Sequence, residues 1–257
     1  MGYFMDAFVA MWYRQIKRFW RAKPRVIGTF LHPIFWLVFF GIGFSASMRG
    51  GLSNAFMGTS YLAFLLPGIV MMTIFTSSFM SGISVIWDKE FGYLKVVLVS
   101  PAPRKASILG RSLGDSTIAL LQGLTILLFG YFLVPSLNLI NIIPLIGISL
   151  LVSITFASIG IILATKMQTM EGFQLIVNLI TLPLLFLSGI FYPISQAPEW
   201  LKVVILLNPL TYGVDASRIL LIGVGNFNLI MDIILLSILS AVFMFLAMHQ
   251  FEKTTIG

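Results

Sequence analysis

The stretch DKEFGYLKVVLVSPAPRKASILGR, residues 88–111, carries five basic side chains, Lys89, Lys95, Arg104, Lys105 and Arg111, between two apolar runs that are each long enough to cross a bilayer. Basic intervals between hydrocarbon-length segments collect on the cytoplasmic side of a membrane. After Gly92, the apolar residues Leu94, Val97 and Leu98 fall at i, i+3 and i+4, the spacing of a short amphipathic helix that Ser100-Pro101 stops. A helix this short is marginal alone, so its apolar face needs the membrane surface, the chain's own spans or a groove in another protein. Two readings stand: an ordinary positive-inside loop, or a docking element.

Composition sets the class. Of 257 residues, 58% are hydrophobic and 10% charged, with a mean hydropathy of +1.01. Apolar runs of about 20 residues recur along the chain, and six are expected to span, near 26–47, 61–87, 112–135, 139–165, 173–192 and 229–248. They leave no room for a soluble domain, so residues 1–257 read as one membrane domain. The net charge of +7 lies beside the apolar runs, where it sets orientation and meets anionic head groups, and nucleic acid is discarded as a partner. With no cysteine there is no disulfide and no thiolate chemistry.

Residues 3–23 read as a basic amphipathic helix. Phe4, Phe8, Met11, Trp12, Ile16 and Phe19 form one face, and Arg14, Lys17, Arg18 and Arg21 the other, a pattern that fits a helix lying in the membrane interface. The first span after it is expected to stay in the mature protein. The second contains Pro67-Gly68, where a kink is expected. Further along it, Thr73, Ser77, Ser81 and Ser84 share a helical face. In the fifth span Gln174, Asn178, Thr181 and Ser188 do the same. Both polar stripes face protein or water, either as tight helix packing or as the lining of a pathway. Asp115, one turn after Arg111, is read as its i, i+4 ion-pair partner.

Between residues 193 and 225, Pro193, Pro198 and Pro209 break the helical pattern. The expectation is a re-entrant pair of half-helices, the second capped by Asn208 with Pro209 at its first position. An even number of spans puts both termini on one side, and thirteen of the 16 Lys and Arg fall on that side, against Arg49, Lys202 and Arg218 on the other. The termini are therefore expected in the cytoplasm, in a multi-pass protein of the cell membrane.

No catalytic constellation emerges from nine carboxylates and two histidines. There is no H-E-x-x-H or G-x-S-x-G, and nowhere does Gly precede Lys as a phosphate-cradling loop requires. His32 reads as a packed or interfacial residue. An ion-coupled carrier or a passive channel is the alternative class, but it needs buried charge along its path, and the span interiors are expected to hold essentially none.

Taken together, the basic N-terminal helix, the loop opening Asp88-Lys89-Glu90-Phe91-Gly92-Tyr93-Leu94 with Ser100-Pro101, and Leu187-Ser188-Gly189-Ile190-Phe191-Tyr192-Pro193 leading to Asn208-Pro209-Leu210-Thr211-Tyr212 resemble the type-2 ABC exporter permeases. The resemblance covers the whole chain. It implies an all-α polytopic fold of six transmembrane helices, with an N-terminal interface helix, a cytoplasmic coupling helix in residues 88–111 and re-entrant half-helices in 193–225. It also implies that two ATP-binding subunits carry ATP and Mg on separate chains, with no cofactor on this one. Glu90, Gly92, Tyr93, Leu94, Val97 and Leu98 are then expected at the ATPase contact. Two permease chains, identical or different, would form the pathway with their second and fifth spans, which puts both polar stripes along it. The function so implied is export of an amphiphilic drug-like, lipid or glycan substrate, with the chain itself not an enzyme. The chain departs from the fused exporters of the family in having neither a large outer domain nor a fused nucleotide-binding domain.

Overall fold

The computed structural model describes residues 2–43, 56–92 and 103–252, and among them helix predominates and no strand forms. In order they form α1 (Gly2–Arg21), α2 (Lys23–Trp36, running into a π-helical turn, Leu37–Ile42), α3 (Tyr61–Met80), α4 (Ile83–Glu90), α5 (Arg104–Leu133), α6 (Ile142–Lys166), α7 (Met170–Phe186), α8 (Glu199–Leu206), α9 (Pro209–Ile222) and α10 (Leu229–Glu252).

Helix α3 is the hub. Ser60 caps its start by accepting from the Ala63 amide at 3.3 Å, and α5, α6 and α9 surround it. Most of it is apolar and buried, as a central helix requires, with Thr73, Thr76, Ser77 and Ser78 the polar exceptions. Phe75 and Phe79 stack on each other, and Phe156 of α6 meets Phe75 edge-on at 4.5 Å between ring centroids. Helix α10 is the opposite case. Its exposed Ile230, Ile234, Ile238, Val242 and Phe245 recur every three to four residues, a stripe suited to lipid.

The helix runs unbroken through Pro67, and the interruption in the second apolar run falls at Ser81-Gly82 instead. A Cβ on Gly82 would lie 2.3 Å from the Gly160 carbonyl oxygen of α6, so the bare backbone permits this crossing.

Among the described residues, four helical stretches are long and apolar enough to cross a membrane: Tyr61–Glu90, Arg104–Leu133, Leu139–Lys166 and Leu229–Phe251. The pair α8 and α9, bent by 92°, makes a fifth if it is one span. The expected six therefore reduce to four or five by length, with Val26–Phe39 and α7 as shorter apolar helices. The shortfall in α7 has a local cause. The sequence stays apolar to Phe191, but the chain turns after Phe186 and Gly189 takes φ 73°, a left-handed conformation suited to glycine. Residues 44–47 of the expected first span lie outside the described residues.

Helix α1 packs lengthwise on α5, burying Met11, Gln15 and Phe19 while Tyr3, Met5, Tyr13 and Trp20 stay exposed. The contact runs over Gly110 and Gly114. A Cβ on Gly110 would come within 2.3 Å of the Phe8 carbonyl oxygen, and one on Gly114 within 2.8 Å of Gln15. The apolar face read from the sequence is therefore spent largely on α5 rather than left for the membrane.

Candidate functional site

At the end of α4 the chain leads into the stretch that opened the sequence analysis. Asp88, 2% exposed, takes two guanidinium groups. Arg14 of α1 donates to its Oδ1 and Oδ2 at 2.5 and 3.1 Å, and Arg111 of α5 donates to Oδ2. Ser84 accepts from Arg111 at 3.1 Å and from Gln15 at 3.3 Å. Lys89 donates to the carbonyls of Ala164 and Thr165 at 3.1 and 2.7 Å, a cation on the exposed acceptors at the end of α6. One turn of α4 thus ties α1, α5 and α6 together. The ion pair built on Arg111 reaches back to Asp88 across 23 positions, where the sequence pointed to Asp115 four residues on. Sequence spacing reveals neighbours within one helix, not those brought together from different helices.

Glu90 ends α4 in an exposed position, and Gly92, φ 72°, turns the chain beyond it. Tyr93, Leu94, Val97 and Leu98 lie outside the described residues. Helix α5 begins at Arg104, so the basic tail of the stretch is already helical.

The first polar stripe divides by depth. Ser84 belongs to the ionic cluster, and Ser81 is buried beside it. Thr73 and Ser77 open onto a recess of 290 Å³ bounded by α2, α3 and α5, with His32, Thr76, Met80 and Gln122 on its walls. A hydroxyl contact between helices uses Ser78, off the predicted stripe. Its hydroxyl lies 2.6 Å from that of Ser153, which donates to Ser116 at 2.8 Å, joining α3, α6 and α5. The second stripe behaves differently. Gln174 and Asn178 are exposed on the outer side of α7, Thr181 is half-buried, and Ser188 is buried with its hydroxyl on the Leu185 carbonyl. Within one chain the two stripes share no cavity among those described.

Asn208 caps α9 as its type and position predict, accepting from the Leu210 amide at 3.0 Å. Its amide nitrogen donates to Leu184 O at 2.8 Å, Thr211 to Ile205 O at 2.9 Å, and Tyr212 to Leu206 O at 2.6 Å. The side chains of Asn208, Thr211 and Tyr212 therefore satisfy the carbonyl ends of α7 and α8, which holds the 92° bend. Behind the bend Arg218 is fully buried. It donates to Gly189 O at 3.0 Å and Phe64 O at 3.3 Å and lies over the Phe64 ring. Asp215, also buried, accepts from the amides of Asn226 and Phe227. Asp232, at the start of α10, is buried with both carboxylate oxygens lacking a hydrogen-bond partner. These buried charged groups sit in the bent segment and in the first turn of α10, at the ends of the apolar runs rather than in the interiors where the sequence reading expected essentially none.

Signals for some missed residues were present. Gly110-x-x-x-Gly114 is a small-residue motif that lets helices approach, whereas nothing in the sequence singled out Gln122 or brought His32 to it.

Bundled apolar helices long enough to cross a bilayer, with the bent pair α8 and α9 beside them, describe a multi-pass membrane protein. The chain belongs to the ABC-2 type transporter family, which matches residues 6–222. It is 34% identical over 205 residues to transport permease ycf38 of Cyanophora paradoxa, covering 78% of this chain and 69% of the relative. It is 24% identical to the inner membrane transport permease YadH of Escherichia coli strain K12, covering 90% and 88%. Nodulation protein J of Rhizobium meliloti strain 1021 is 26% identical, covering 84% and 81%. The chain is accordingly a membrane transport permease.

Proposed function

We propose that the chain is the membrane subunit of an ATP-driven exporter, two permease chains working with two ATPase subunits that hold ATP and Mg. The observation that carries this is the family match across residues 6–222, in a sequence with no phosphate-cradling loop of its own. Six crossings, with α2 and α7 as the short ones, put both termini in the cytoplasm and the α8–α9 bend outside. The substrate is an amphiphile, drug-like, lipid or glycan, and Thr73, Ser77, Gln174, Asn178 and Thr181 line its path. Residues 93–98 dock the ATPase, and the Asp88 cluster passes its movement to α1, α5 and α6.

Docking is tested by Leu94→Asp. Losing an apolar anchor in a groove costs about 1 to 3 kcal/mol, and a charge in its place costs more. The variant is expected to insert normally but lose its ATPase on affinity purification. Full retention of the ATPase with normal transport would sink the docking role. A second reading, ion-coupled transport, is favoured by one feature, the buried Asp232 carboxylate. It predicts that no ATPase co-purifies and that Asp232→Asn abolishes uptake or efflux driven by an ion gradient.

A further inference from the structure

The recess between α2, α3 and α5 is more than a gap in a small-residue stripe. Gln122 is 1% exposed, yet its Oε1 has no hydrogen-bond partner and the residue lines the recess. An amide oxygen buried without a partner is left with its desolvation uncompensated. The groups around it also present lone pairs. Thr73 spends its proton on Ile69 O at 2.8 Å, and Thr76 on Met72 O at 2.8 Å. His32 Nε2 accepts from Trp36 Nε1 at 3.2 Å, which puts the ring's proton on Nδ1 and supplies one donor at the rim. None of the described lining residues is charged.

We propose that this recess binds the uncharged, hydroxyl-bearing head group of an amphiphile, such as a single sugar ring, with its alkyl tail outside the recess. With Gln122 Oε1 unsatisfied and the Thr73 and Thr76 protons already spent on backbone carbonyls, the recess calls for a ligand rich in hydroxyl donors. A phosphate or carboxylate would meet those lone pairs with its own, and an ammonium would be buried without a counter-charge. At 290 Å³ the recess is at the small end of ligand sites, the size of a head group rather than of a whole amphiphile. The exposed Ile27, Leu31 and Phe35 of α2 offer an apolar path for the tail. The inference rests on the transport reading only in calling this ligand a substrate, since binding itself needs no ATPase.

The chain contains no cysteine, so Ser77→Cys carries a unique thiol on the recess wall. In phosphatidylcholine nanodiscs holding the permease alone, dodecyl glucoside is expected to slow N-ethylmaleimide alkylation of this thiol several-fold. Dodecyl phosphate and dodecylammonium should leave the rate unchanged, as should all three at Ile238→Cys on the lipid face of α10. Adding Gln122→Leu should remove the protection. Thr76→Val, which keeps the shape of its side chain, should weaken it. Equal protection by all three amphiphiles, or protection that survives both second-site changes, would overturn the proposal. Protection by the glucoside with no ATPase ever recovered would leave the site standing and remove only the ATP-driven reading.

Discussion

Asp88 is the residue whose loss has the clearest consequence. It is buried with Arg111, also 2% exposed, and with Arg14, whose side chain is 28% exposed. Removing one partner of a buried pair leaves the other charge uncompensated, at a cost of about 3–5 kcal/mol. Asp88→Ala is expected to destabilise the chain by that amount, because Arg111 has nowhere to go. Arg14→Ala should cost less, about 1 kcal/mol, since Arg111 still pairs with the buried Asp88 and Arg14 is itself partly open to water. Thermal unfolding in detergent, followed by tryptophan fluorescence, compares the two. If Asp88→Ala unfolds at the wild-type temperature, the cluster is not holding the helices. Ser84 illustrates how a residue can be read correctly as facing protein and still be given the wrong neighbours. Its stripe was legible from helical spacing, but its partners, Arg111 and Gln15, come from helices that no local pattern connects.

Among the elements, α1 and α5 depend on two glycines. The backbone of α1 lies so close to Gly110 that any side chain there collides with the Phe8 carbonyl rather than with something that can rotate away. Gly110→Val is expected to cost about 1–3 kcal/mol as overpacking and to lift α1 from α5. Trp12, whose indole donates to Thr117 at 3.1 Å, reports on the contact. A Trp12→Cys, Thr117→Cys pair should be bridged by a short bifunctional maleimide that spans the space of the lost indole, and adding Gly110→Val should suppress the crosslink. An undiminished crosslink would mean the helices slide rather than separate. The all-helical class, the cap at Asn208 and the bend after Leu206 were legible because each depends on local chemistry. The ends of α5 and α7 were not. Arg104–Arg111 looks like loop by charge but extends a helix, and residues 187–191 look like span by hydropathy until Gly189 turns the chain. Hydropathy measures what a segment tolerates around it, not where its backbone stops.

At the scale of the whole molecule the open question is how many times the chain crosses, and α7 decides it. Its 17 residues span about 26 Å at 1.5 Å each, slightly less than the roughly 30 Å hydrocarbon core. A short helix can still cross if the bilayer thins or flanking residues reach the interface. Charge argues that it does, since three crossings by α5, α6 and α7 put Glu90 inside and Gln196 outside, in keeping with thirteen of the 16 Lys and Arg on the inner side. Both residues are exposed, and the chain has no other thiol. In intact cells Gln196→Cys is expected to react with a membrane-impermeant maleimide, while Glu90→Cys reacts only after the membrane is opened. The reverse pattern would invert the orientation. If neither reacts until the membrane is opened, α7 enters and returns on the inner side. The chain would then have two crossings between those residues instead of three, and the α8–α9 bend would face the cytoplasm, where it could not form an outer mouth.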